Sequence, residues 1–75
     1  MTEVRFHRAL YRESALEDAI RVYAQHAEIS RADAADHLVV RIASPKEGRA
    51  ERVAHELANY ALGLTIQARR EGDAR

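Results

Sequence analysis

The sequence predicts an α+β domain of order β-α-β-β-α, a three-stranded, mostly antiparallel sheet with two helices packed on one face. Three observations predict it. Val4 and Phe6 alternate with Arg5 and His7, and Leu38, Val40 and Ile42 alternate with Val39 and Arg41, the period of strands with one buried face. Leu16, Ala19, Ile20 and Tyr23, and later Val53, Leu57, Tyr60 and Leu64, recur at helical spacing instead. Finally, 75 residues with no internal repeat and no dividing linker leave room for one domain, residues 1–75, with 3–71 as its ordered part and 72–75 as a polar tail.

In the first strand, Val4 to Tyr11, the alternation breaks after Arg8. Ala9, Leu10 and Tyr11 either extend the strand or pack against the next helix. Ser14-Ala15-Leu16-Glu17 has the capping-box pattern, in which the hydroxyl and the carboxylate satisfy two orphaned N–H groups at a helix start. The helix that follows turns Leu16, Ala19, Ile20, Val22 and Tyr23 inward and Glu17, Asp18, Arg21 and Gln25 outward. Glu17 and Arg21 add an i,i+4 pair worth about 0.3 kcal/mol.

Ala27 to Asp36 supports two readings. Either Glu28 to Arg31 is a short strand that returns through a polar turn into His37–Ala43, or Ser30 caps a helical turn. The hairpin is preferred, because a lone His37–Ala43 strand leaves too little sheet to cover two helices. Ser44-Pro45-Lys46-Glu47 resembles a helix entry, but Gly48 within the first turn costs about 1 kcal/mol relative to Ala. The last helix therefore begins at Pro45 or only at Arg49, and it runs to about Arg70. A right-handed first crossover followed by a hairpin pairs the first strand antiparallel with the third.

The last helix carries two apolar faces. Val53, Leu57, Tyr60 and Leu64 form a core stripe bordered by Ala50, Ala61 and Ala68. Nearly opposite, His55, Asn59, Leu62 and Ile66 recur at i, i+4, i+7 and i+11. A scattered surface aliphatic is ordinary, but two on one stripe favour a partner interface.

Composition narrows the partners. Fifteen of the thirty-five hydrophobic residues are alanine, so the core is small and supplies only about 3–5 kcal/mol. No cysteine is present, which removes disulfides and thiolate zinc sites. Association is then the natural route to more burial. Twelve basic and twelve acidic side chains balance, so no global field draws the chain onto nucleic acid. No apolar run approaches the roughly 18 residues of a membrane span, and Met1–Leu10 lacks the apolar block of a signal peptide. A cytoplasmic location away from membranes is expected.

No catalytic constellation stands out, and neither catalytic residues, cofactor nor metal is expected. His7, His26, His37 and His55 include no i,i+4 pair, and His55-Glu56 lacks the second histidine of H-E-x-x-H. Two histidines can meet only through tertiary structure. Ser14 and Ser44 read as caps, and no Gly-x-Ser-x-Gly elbow exists. Asp33 and Asp36 fall in a turn, where Asp bonds its own backbone. Gly48, Gly63 and Gly72 are isolated. Arg49, Arg52, Arg69 and Arg70 interleave with Glu47, Glu51, Glu56 and Glu71, the pattern of a solvated helical face, and no aromatic platforms accompany them.

An opening V-x-F strand ending near Tyr11, the helix A-L-E-D-A-I, the strand L-V-V-R-I and the final helix H-E-L-A-N-Y-A-L-G-L-T-I resemble the small HxsD-like proteins. These accompany the His-Xaa-Ser repeat peptide maturation system, beside radical SAM enzymes. The resemblance covers most of the chain and centres on Glu56, Asn59 and Leu62, followed by Ile66. Gly63 and Leu64 stand where relatives carry an Arg-Glu pair. The resemblance implies a non-catalytic accessory protein that binds a precursor peptide or a radical SAM maturation enzyme, and it brings no active site. The alternative expectation is a homodimeric interaction module whose spare stripe pairs with itself.

Overall fold

The elements come in the expected order. A computed structural model describes the backbone of residues 1–73 and the side chains of residues 1–71. Strand β1 (Thr2–His7), helix α1 (Glu13–Tyr23), strands β2 (Glu28–Asp33) and β3 (His37–Ala43) and helix α2 (Arg49–Asp73) make an α+β fold with both helices on one face of the sheet. The sheet order is β1-β3-β2, with both pairings antiparallel. The hairpin between Ala27 and Asp36 forms as preferred, and β1 pairs with β3.

Register fixes the two sheet faces. Val4 and Phe6 lie opposite Val40 and Leu38, and Ile29 lies opposite Ile42. These residues face the helices, where Phe6, Leu38, Val40 and Ile42 join Leu16, Ala19, Val53, Leu57 and Ala61 in the core. The other face carries Glu3, Arg5, His7, Ser30, Ala32, His37 and Arg41, and it is solvated. Val39 also lies there yet is only 7% exposed, since Arg5 and Ala32 flank it in register.

Element boundaries depart from the sequence reading in ways with clear causes. β1 ends at His7 rather than near Tyr11, because the His7 carbonyl accepts the amides of Leu10 (3.0 Å) and Tyr11 (3.2 Å) and turns the chain. Tyr11 instead packs edge-on against Phe6, with ring centroids 5.0 Å apart. Ser14 is not the cap of α1: the N-cap is Arg12, with no side-chain cap bond. Arg21 pairs with Asp18 one turn back, not with Glu17, which lies 3.9 Å from Arg31 of β2. Val22 leaves the inward stripe of α1 and is exposed.

The entry to α2 is decided by Gly48. Ser44 Oγ accepts the Lys46 amide (3.2 Å) in a turn, and Gly48 follows at φ +76°, a left-handed conformation costly for any residue with a Cβ. The Gly48 carbonyl then accepts the Arg52 amide (3.2 Å), so regular helix begins at Arg49. The helix continues past Arg70 to Asp73. The expected polar tail, 72–75, is therefore helical at 72 and 73, and 74–75 lie outside the described residues.

The buried face of α2 is built differently from the expected stripe. Val53 and Leu57 are buried as expected, but Tyr60 is 39% exposed and Leu64 is half-buried. Ala54, Ala61 and Thr65 hold the centre instead. Small side chains there let α2 approach the sheet and α1 closely. Tyr60 flanks the seam with α1 and meets Tyr23 edge-on at 6.0 Å, a favoured geometry for an aromatic pair.

Candidate interaction surface

α2 turns its four expected interface residues outward. His55 and Asn59 are exposed, and Leu62 and Ile66 keep 42% and 43% of their surface. A helix turns about 100° per residue, so Tyr60 and Leu62 flank the fully buried Ala61 on opposite sides. Tyr60 faces α1 through Tyr23. Leu62 therefore faces away from α1.

That direction leads to the β1 edge of the sheet. α2 packs on β1 and β3, whereas α1 lies toward β2, where Arg31 comes within 3.7 Å of Glu13 and 3.9 Å of Glu17. Among the described residues β1 pairs only with β3, so its outer edge is open. The Arg8 amide donates to the Asp36 carbonyl at 2.9 Å, and a bond in that place makes His7 and His37 a non-hydrogen-bonded pair. By the two-residue period, the amides and carbonyls of Glu3, Arg5 and His7 then point away from β3. The turn claims the His7 carbonyl, and the main-chain groups of Glu3 and Arg5 remain along the open edge. An apolar helix flank thus stands toward the open edge of a strand.

Charges on this edge are ordered. Glu3 accepts from Arg41 Nε at 3.2 Å and from Arg5 Nε at 3.4 Å. These contacts, with Arg41 the larger influence, hold the Glu3 carboxyl below its ordinary range.

The fold also brings together two histidines that sequence spacing kept apart. The rings of His7 and His37 meet edge-on, with centroids 4.8 Å apart. His7 Nδ1 accepts the Ala9 amide at 3.1 Å, which leaves the proton of the neutral ring on Nε2. Two imidazoles supply half of a tetrahedral zinc site. Among the described residues no group of three or more His, Cys, Asp or Glu side chains converges. His26 and His55 stand elsewhere, His26 beside Tyr23 at 6.1 Å.

Comparison with protein-family models, with curated proteins and with solved structures finds no match to this chain. Among the described residues, no helix is long and apolar enough to cross a membrane.

The residue that sequence reasoning passed over is Thr65. It is 1% exposed, the one buried polar residue among the described residues. Its hydroxyl donates to the Ala61 carbonyl (2.8 Å) and accepts the Arg12 amide (3.1 Å), tying the β1–α1 loop to α2. Beside it opens a cleft of about 410 Å³ lined by Arg8, Tyr11, Arg12, Thr65, Ala68 and Arg69. Arg69 reaches the carbonyls of Ala9 (3.4 Å) and Leu10 (3.3 Å). Arg8 is engaged with Glu13 (3.1 Å) and Asp33 (2.5 Å), so the cleft serves first to fasten the loop. The only sequence signal was a Thr two turns beyond Leu57 on an otherwise apolar face.

Proposed function

We propose that this chain is a non-catalytic accessory protein of ribosomal peptide maturation, of the HxsD-like kind, acting in the cytoplasm. It binds a precursor peptide or the radical SAM enzyme that modifies it. The observation that carries the reading is the pair Leu62 and Ile66, 42% and 43% exposed on one strip of α2 beside the free edge of β1. Exposed aliphatics close to an open strand offer an extended peptide two kinds of contact: main-chain hydrogen bonds for affinity and apolar pockets for alternate side chains. Asn59 and His55 border the strip with donors and acceptors that fix register.

The test is capture of a co-expressed repeat peptide and radical SAM enzyme by the native chain and by Leu62→Asp/Ile66→Asp. The expected result is a doubly substituted protein with unchanged far-ultraviolet circular dichroism that retains neither partner. Undiminished capture sinks the assignment of this surface, and loss of helical signal shows that these side chains are core. A neighbouring gene pair encoding such a peptide and enzyme supplies the partners for the assay.

A further inference from the structure

The free edge of β1 has a sequence that fits itself. We infer that two copies of this chain pair antiparallel through β1, forming one continuous six-stranded sheet with all four helices on one face. The inference goes beyond the accessory role and competes with it for the β1 edge: a second copy there leaves a partner only the outward strip of α2, and a monomer that captures a peptide sinks this proposal and leaves the other standing.

The argument begins with the hydrogen bonds. Glu3 and Arg5 direct their main-chain groups outward, while Val4 directs its own toward β3. A second β1 can bond to this edge only if outward-pointing residues lie opposite outward-pointing residues. Three two-fold registers satisfy that condition near the middle of the strand. Centred on Glu3, two carboxylates face each other; centred on Arg5, two guanidiniums do. Centred on Val4, Glu3 of each copy lies opposite Arg5 of the other, and Val4 lies opposite Val4. Like charges directly opposite destabilise a strand pair and opposite charges stabilise it. The charges thus select one register, in which about four main-chain hydrogen bonds join the copies.

Charged residues on an edge ordinarily guard against pairing. Here they alternate in sign across a single apolar residue, so they block the shifted registers and admit the centred one. The side chains agree on both faces. On the open face, Glu3 already accepts from Arg5 and Arg41 of its own chain, and an incoming Arg5 adds a further donor to the same carboxylate. On the helix face, the half-buried Val4 gains a neighbour. Above it, the flank of α2 turned away from α1 meets its copy, with Ala58 giving a close approach and Leu62 beside it. Asn59 and Ile66 lie further round the helix, away from the seam, so the dimer displays the strip of each copy side by side.

The opposite edge repeats the alternation as Arg31-Ala32-Asp33, but these side chains lie on the helix face of the sheet, where they are held by Glu13, Glu17 and Arg8. The charges of β1 lie on the open face, where a second copy can add to them without breaking contacts to a helix.

Light scattering on the full chain reads the outcome directly. At high micromolar concentration the expected mass is twice the 8.5 kDa of one chain, whereas a mass of one chain overturns the proposal. Arg5→Glu and Glu3→Lys should each be monomeric, since each places like charges across the seam. Mixed in equal amounts they should form a dimer again, because each supplies the charge the other lacks. Arg5→Pro, which removes an amide that β3 does not use, should also give a monomer with an unchanged circular dichroism spectrum. A dimer that persists in either charge variant alone, or a mixture that stays monomeric, overturns the pairing.

Discussion

The two sides of α2 invert the usual association of size with burial. Its inward face has Ala54, Ala61 and Thr65 buried beside Val53 and Leu57, while its outward strip exposes Leu62 and Ile66. A helix lying flat across a sheet needs short side chains where the two backbones come closest, and long ones only where it bridges a gap. The inward face is therefore set by distance, and the outward strip is free to keep large aliphatics for another purpose. What is buried and what is apolar are separate properties of this helix.

The comparison breaks first at Leu57. Truncation to Ala empties a fully buried site and should cost about 2–5 kcal/mol, comparable with the whole stability of so small a core. Urea denaturation should show the variant largely unfolded, and a midpoint near that of the native chain would remove Leu57 from the core. The converse change, Ala61→Leu, adds volume where α2 sits closest and should destabilise by about 1–3 kcal/mol, although leucine is the better hydrophobe. A gain in stability by the same titration would contradict the close approach.

Thr65→Val tests the polar member of the inward face. It preserves shape but leaves the part-buried Arg12 amide without its acceptor, and a lost intramolecular hydrogen bond costs about 0.5–1.5 kcal/mol. Thermal melting is expected to show the loss; equal melting of the variant and the native chain would assign no weight to this bond. Least affected should be Leu62→Asp/Ile66→Asp, whose stability should stay within about 0.5 kcal/mol of the native chain. A larger loss would erase the distinction between the two sides.

Much of this fold was legible from residue pattern alone. Alternation at Leu38, Val40 and Ile42 and helical spacing around Leu57 each encode a single geometry, and the hairpin followed from the need for enough sheet. The outward positions of His55, Asn59, Leu62 and Ile66 were legible for the same reason, since helical period alone places them. What pattern could not supply depends on distance in three dimensions. Tyr60 looked like core because it is large and correctly spaced, and only its position beside Tyr23 shows that it borders the seam. Ser14 matched a capping motif, yet the chain enters α1 two residues earlier, at Arg12, drawn by the His7 turn and Thr65. His7 and His37 meet because strand register aligns them, across thirty residues of sequence.

The bond between the Arg12 amide and Thr65 Oγ1 spans 53 residues of chain. Neither partner can reach the other until β1, α1 and the last helix have all docked, so the Arg12 amide should exchange its proton with solvent only through the opening that detaches α2. One backbone hydrogen in a loop thereby becomes a clock for the cohesion of the entire domain, slower to exchange than those of Leu10 and Tyr11, whose amides are held only within their own turn.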